Sequence, residues 1–346
     1  MKIGNFNNIV YNNNNIVIIH LYFIFVYYMS KINLLITGGL GFIGHNFINY
    51  IFDTNNYTII VLDNESNCFD ISSINKDIRD SKYFIFINGS YGNKKLVKKI
   101  LKEYKITYVI NLAATTFELN KMHTPIEYVE NNISNLTNFL EVCHEYGKLD
   151  IFLHMSTYLT KNIIRSLGTV NIFCINEYIE TKGSGLGMVV LYRDKYKLPV
   201  IIGFSNNIFG KNQCLPNKIH DYLTLLKNDK KIPIEIHAIE LENYIYIDNV
   251  VTAFEIILKR GSVGVIYRII TDINDDGYKC DLDLARSLIC FFYNTGNYNK
   301  WIKYINNKTC RKIEDFGTNE ELKELGWKIS VSTTEGLKIV ADSYKK

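Results

Sequence analysis

No Cys-x-x-Cys pair and no His-x-x-x-His pair occurs in this sequence, whose seven cysteines (68, 143, 174, 214, 280, 290 and 310) and seven histidines are scattered along the chain. An odd number of widely spaced cysteines indicates neither a disulfide framework nor a zinc site, and it fits a reducing cytoplasm. Charge of one sign is scarce too. The 39 basic residues face 35 acidic ones for a net charge of +4, without a basic face or tail, so nucleic acid is not an expected partner. Repeats and low-complexity linkers are missing from the C-terminal half. What abounds is apolar: 47% of the 346 residues are hydrophobic, enough for a large core in one big or two modest domains.

A run long enough to span a bilayer is also lacking. Residues 1–15 are Asn-rich and unpatterned, and Ile16 to Met29 form an apolar run broken by His20. That run falls short of the about 20 residues that a span needs. No small-residue cleavage site follows it, and the next residues open a buried strand, so secretion is not expected. Residues 1–30 read as an N-terminal extension, of which 1–28 lie upstream of Met29 as the functional start; a membrane anchor is the alternative. The expectation is a cytoplasmic protein with no membrane partner.

From Lys31 the text KINLLITGGLGFIGHNFINYIF reads as strand, glycine-rich turn and helix, with Phe42, Ile43, Phe47, Ile48 and Ile51 toward the core. Gly38 permits the tight turn, Gly41 lets backbone approach a pyrophosphate, and Gly44 lets the helix pack closely on the strand; Phe42 and Ile43 open the helix that faces the phosphate charge. A second strand, 58–62, ends in Asp63, 19 residues after Gly44. An acid at that place accepts both ribose hydroxyls and repels a 2′-phosphate, which favours NAD over NADP. Strands 84–88, 108–114 and 150–156 then alternate with helices 93–104 and about Pro125 to Tyr146. Apolar runs such as VINLAA and IFLHM suit strands covered on both faces. The fold class is therefore α/β: a doubly wound parallel-sheet NAD-binding Rossmann fold with a smaller C-terminal substrate lobe.

Tyr178 and Lys182 form a Tyr-x-x-x-Lys, one turn apart on one helix face. A nearby ammonium lowers a phenol's pKa, so Tyr178 is the candidate base toward a carbinol hydroxyl, and Lys182 also holds the nicotinamide ribose. The same spacing recurs at Tyr27/Lys31, Tyr91/Lys95 and Tyr304/Lys308. Context singles out Tyr178: it follows the strand ending in Ser156-Thr157, and ligands sit at the C-terminal ends of strands in such sheets. Thr157 is expected to orient the hydroxyl. Glu118, Glu177 and Glu180 read as solvated charges.

Together these residues resemble the extended short-chain dehydrogenase/reductases, and within them the nucleotide-sugar 4,6-dehydratases of the dTDP-glucose type, from about Lys31 to the C-terminus. NLAA (111–114), with Ala113, is similar to the family's cofactor-side strand end; Asn132 falls where a structural Asn is expected; HMST (154–157) resembles the run before the catalytic acids. KLPVIIGFSNNIFGKNQ (197–213) resembles the stretch that puts Asn206 and Asn207 beside the sugar phosphate, and LKELGW (322–327) the closing segment. The resemblance implies NAD as cofactor, a nucleotide-diphosphate sugar of the dTDP- or UDP-glucose type as substrate, and a homodimer. It also implies the reaction: C4 oxidation, water elimination and hydride return to give a 4-keto-6-deoxy sugar.

The sequence departs from this pattern at identifiable places. Tyr158-Leu159 stands where the dehydratases carry an Asp-Glu pair, a basic residue is replaced around Leu241-Glu242-Asn243-Tyr244, and Glu314 stands for a late arginine, with Lys218, Arg311 and Lys312 as nearby cations. On the cofactor side, Ser90 and Thr115-Thr116-Phe117-Glu118 replace the usual residues. A nucleotide-sugar 4-epimerase, which needs only the Tyr/Lys/Thr set, and a non-catalytic NAD-binding paralogue acting as a structural partner are the alternatives.

The expected C-terminal elements are a helix at Lys218–Leu226, a turn at Ile232-Pro233, strand 243–247, a helix capped at Asp248-Asn249 and ended by Gly261, strand 265–270 in the smaller lobe, and helices 282–293 and 318–327. Trp301 and Trp327 read as core or lobe packing. The domains expected are 31–207 for the NAD-binding unit and 208–346 mainly for the substrate lobe, with 243–262 returning to the first.

Overall fold

The structure, a computed structural model, describes residues 31–66, 70–116, 123–157, 160, 177–205, 207–211, 213, 217–236, 241–272, 276–306 and 317–345. The extension 1–30 and the positions Phe117, Glu118, Tyr158, Leu159, Asn206, Arg311, Lys312 and Glu314 lie outside them.

The first half alternates as its periodicity requires: β1 (Ile32–Thr37), α1 (Phe42–Ile51), β2 (Tyr57–Asp63), β3 (Phe84–Asn88), α2 (Lys94–Glu103) and β4 (Tyr108–Asn111). There follow α3 (Pro125–Val129), a π-helical turn (Glu130–Asn135), α4 (Leu136–Tyr146), β5 (Ile151–Thr157), α5 (Glu177–Asp194) and β6 (Val200–Ser205). Beyond these come β7 (Ile208–Phe209), α6 (Lys218–Lys227), β8 (Ile232–Glu235), β9 (Glu242–Asn243), β10 (Ile245–Tyr246), α7 (Ile247–Arg260) and β11 (Ile266–Ile269). The chain closes with β12 (Tyr278–Lys279), α8 (Asp281–Tyr293), β13 (Ile302–Ile305), α9 (Glu320–Glu324) and α10 (Thr333–Tyr344).

One seven-stranded sheet, ordered β11-β6-β5-β4-β1-β2-β3 with every pair parallel, forms the centre. Strand order reverses between β1 and β4, which opens a crevice at their C-terminal ends. Each buried strand feeds two cores because successive side chains point to opposite faces. Leu34 and Ile36 join one core with α1 and α7, while Leu35, Val109, Phe152 and Val200 join the other with α2, α4 and α5.

Several expected elements differ. The segment 266–269, expected in the smaller lobe, is the edge strand of the main sheet, where it pairs with β6. Pro233 lies within β8 rather than in a turn; a two-stranded sheet with β13 is all edge, so a residue without N–H costs little there. The strand expected at 243–247 is two short strands in different sheets, paired with β12 and β7. α7 begins at Ile247 with Tyr246 at the cap position. Asn249 is not the cap because its side chain is engaged elsewhere: Oδ1 accepts from Ser330 N (2.8 Å) and Val331 N (3.1 Å), and Nδ2 donates to Val331 O (2.7 Å). Both Trp side chains pack internally, Trp301 stacked on Tyr293 at 3.9 Å and Trp327 donating to Asn249 O at 3.1 Å. α10 has a legible start in Ser332-x-x-Glu335, whose Ser332 accepts from Glu335 N. Among the described residues no helix is long and apolar enough to cross a membrane.

Candidate active site

The glycine-rich turn lies in the crevice between β1 and β4. Gly38 N–H donates to Leu62 O at 3.0 Å, and Leu112 N–H donates to Thr37 O at 3.0 Å, so the turn is tied to both neighbouring strands. Gly38 has φ +68°, and a Cβ there would lie 2.7 Å from the Cα and N of Ala113. No other residue fits that combination of handedness and contact. At Gly44 a Cβ would lie 2.5 Å from Gly39 O, the close helix-to-turn approach expected of this position. Gly41 is the residue before α1, followed by Phe42 and Ile43 in its first turn. The free backbone N–H groups of that turn make an anion seat.

Asp63, buried at the end of β2, accepts from Leu40 N at 3.0 Å through Oδ2 and from Glu65 N at 2.9 Å through Oδ1. Its carboxylate is thereby fixed against the turn. These observations fit NAD: a cradle that a side chain would fill, a helix N-terminus, and a carboxylate beside them for a ribose diol.

At the end of β5, α5 presents Tyr178 and Lys182. Lys182 is buried, and its Nζ donates to Met155 O at 3.0 Å. Burial lowers its pKa to about 8. The Tyr178 phenol moves the opposite way from the expectation: burial, with a smaller effect of Tyr128, pushes it up to about 12. Desolvation of the phenolate dominates, and the Lys182 ammonium is turned to the Met155 carbonyl. Thr157 is half-buried at the strand end, and its carbonyl accepts from Thr160 Oγ1 at 2.8 Å.

Behind Lys182 runs a polar row that sequence reading did not single out. Thr37, Asn111 and His154 are register neighbours on β1, β4 and β5. Thr37 Oγ1 donates to Asn111 Oδ1 at 2.6 Å, so the Asn111 amide nitrogen faces His154 Nδ1 at 3.0 Å and makes it the acceptor. The ring proton then sits on Nε2, which, like Ser156 Oγ, is buried without a hydrogen-bond partner among the described residues. Burial and the charge of Lys182 hold the His154 pKa well below its ordinary value, so the ring is neutral.

Asn132 braces the helices. It accepts from Thr115 N at 2.8 Å and donates to Thr115 O at 3.0 Å and to Thr181 Oγ1 at 3.1 Å. The π-helical turn around it supplies the extra residue that such a turn inserts into a helix. A Cβ at Gly185 would lie 2.5 Å from Asn132 O, so α5 approaches this turn at backbone distance.

The candidate phosphate residues are placed differently. Lys218 opens α6 and is bound by Glu242 and by Asp281 Oδ1 at 2.8 Å. Asn207 Nδ2 donates to Glu242 Oε2 at 3.3 Å. Both are thus drawn to one carboxylate 24 residues or more away in sequence.

The chain matches the NAD dependent epimerase/dehydratase family over residues 34–270. A dTDP-D-glucose 4,6-dehydratase of Dictyostelium discoideum is 32% identical to it, over 90% of this chain and 81% of that protein. Among solved structures, a dTDP-glucose 4,6-dehydratase of Bacillus anthracis in complex with NAD superposes with a TM-score of 0.75 at 23% identity, covering 91% of this chain and 97% of that one. A UDP-glucose 4-epimerase of Thermotoga maritima with UDP-glucose does so with a TM-score of 0.73 at 21% identity, covering 91% and 99%. At such identities the two structures share the fold.

Proposed function

The chain belongs to the NAD dependent epimerase/dehydratase family, and from this footing we propose that it is an NAD-dependent nucleotide-sugar 4,6-dehydratase, a lyase acting on a dTDP- or UDP-glucose type substrate. The observation that carries the reading is the Lys182–Met155 bond, which supports Tyr178 and Lys182 on the C-terminal end of β5, one strand from the Gly-rich crevice. The 32% identity to a dTDP-D-glucose 4,6-dehydratase supports the choice of reaction.

In this reading Gly38, Gly41, Phe42, Ile43 and Gly44 offer backbone to the pyrophosphate, Asp63 takes the adenosine ribose, Ala113 lines the crevice, and Lys182 takes the nicotinamide ribose. NAD, when bound, supplies the hydride acceptor for C4. Tyr178 in its phenolate form receives the C4 hydroxyl proton, Thr157 orients that hydroxyl, and Asn206, Asn207 and Lys218 stand on the phosphate side. Loss of water across C5 and C6 would give a 4-keto-5,6-ene, and return of the C4 hydride to C6 with a proton to C5 would give the 4-keto-6-deoxy sugar. The domain division at 207/208, with 243–262 joined to the first unit, is part of the same proposal and is supported by α7 lying in the core beside α1. A cytoplasmic homodimer completes it, supported by Ile126 and Val129, exposed at 76% and 45% and three residues apart on α3.

A 4-epimerase is the second reading, favoured by Tyr158-Leu159, which offers no carboxylate pair for elimination. The full chain with NAD and dTDP- or UDP-glucose separates the two. A product lighter by one water, absorbing in alkali and absent with Tyr178→Phe, supports the dehydratase; an isomer of unchanged mass supports the epimerase. No turnover with NAD bound supports the non-catalytic paralogue.

A further inference from the structure

Asn207 and Lys218, the two described side chains assigned to the phosphate side, both make hydrogen bonds to Glu242. Its Oε1 binds the Lys218 ammonium, and its Oε2 accepts from Asn207 at 3.3 Å and from the Tyr244 hydroxyl at 2.8 Å. Asp281 takes a further hydrogen of Lys218 at 2.8 Å. One ammonium thus faces two carboxylates, with Lys279 of β12 opposite Glu242 in register. Burial disfavours the Lys218 charge, but Glu242 and Asp281 more than offset this and raise its pKa, so the lysine is spent on internal partners. Buried Tyr244 and the pairing of β9 with β12 hold Glu242 in place.

We infer that Glu242 is a specificity-determining residue that occupies the anion seat of Asn207 and Lys218 and sets the site against a free diphosphate linker. The inference rests on the nucleotide-sugar reading above. A diphosphate entering here meets two carboxylates and competes with Glu242 for Asn207 and Lys218. Glu242→Gln keeps the size and removes the charge. Asp281→Asn removes the other charge and leaves Glu242 in its seat.

The test is calorimetric titration of the full chain with dTDP and with UDP, alongside NAD as a reference ligand. Expected for Glu242→Gln is diphosphate binding tighter by roughly tenfold or more at low salt, with most of the gain lost at 1 M salt, where the screening length is about 3 Å. Asp281→Asn gives a smaller gain of the same sign, and NAD affinity stays unchanged in both. Equal or weaker diphosphate binding by both variants, against measurable binding by the parent chain, overturns the role of Glu242 and leaves the nucleotide-sugar reading standing. No diphosphate binding by any of the three while NAD binds overturns both.

Discussion

Lys182 Nζ donates to the carbonyl oxygen of Met155 at 3.0 Å, a bond that joins the helix carrying Tyr178 to the strand ending in Thr157. Among the described residues this is the one hydrogen bond of an ammonium that is otherwise buried. A charge so placed costs stability.

Substituting Lys182→Met should therefore stabilise the cofactor-free chain at pH 7 while abolishing turnover. Burial lowers the folded pKa from 10.5 to about 8, so between these values the unfolded chain binds more protons and stability rises with pH. The cost of the charge is fully present below pH 8 and is relieved toward pH 10.5. Denaturant titration should show a gain of about 1–3 kcal/mol at pH 7 that shrinks by pH 10. An equal gain at both pH values contradicts burial as the cause.

The Tyr178 phenol, pushed up to about 12 by burial, is protonated at neutral pH. Turnover that depends on its base form rises with pH and falls with acid. Tyr178→Phe should cut turnover by on the order of 10²–10⁴ with NAD affinity retained. A variant that keeps turnover removes the tyrosine from the chemistry.

Asp63 anchors Leu40 N–H and Glu65 N–H as well as facing the crevice. Asp63→Ala should weaken NAD roughly tenfold or more and narrow the preference for NAD over NADP, since a like-charge barrier to the 2′-phosphate is gone. Titration with both nucleotides measures it, and NAD affinity untouched by the change argues against the ribose role.

Two glycines should answer alanine in opposite directions. Gly44→Ala drives a Cβ against Gly39 backbone at 2.5 Å and should destabilise by about 1–3 kcal/mol. Gly187, exposed within α5 with nothing inside 4 Å of its added Cβ, should gain about 0.5–1 kcal/mol as alanine. Thermal melts of both variants check the pair; destabilisation by Gly187→Ala contradicts the open surroundings.

The strand, turn and helix around Gly38 and Gly44 were legible because their signals are local, with apolar periodicity and glycine spacing inside one stretch. Tyr178 and Lys182 were legible for the same reason, since four residues on a helix make one face. The pKa of Tyr178 was not, because it depends on how much water the rest of the chain removes. Strand 266–269 was misplaced because its apolar pattern is the same in a lobe as at the edge of the main sheet.

Sequence alone determined the α/β order, the NAD-type turn and the shared helix face of Tyr178 and Lys182, all properties of short windows whose periodicity and stereochemistry need no distant partner. Tertiary structure decided what those residues face. Only there do Thr37, Asn111 and His154 align across three strands, and only there do Glu242 and Asp281, 24 and 63 residues from Lys218, reach its ammonium. Charge and hydrogen bonding act through space, so the ligands that a site admits depend on contacts that chain distance does not encode.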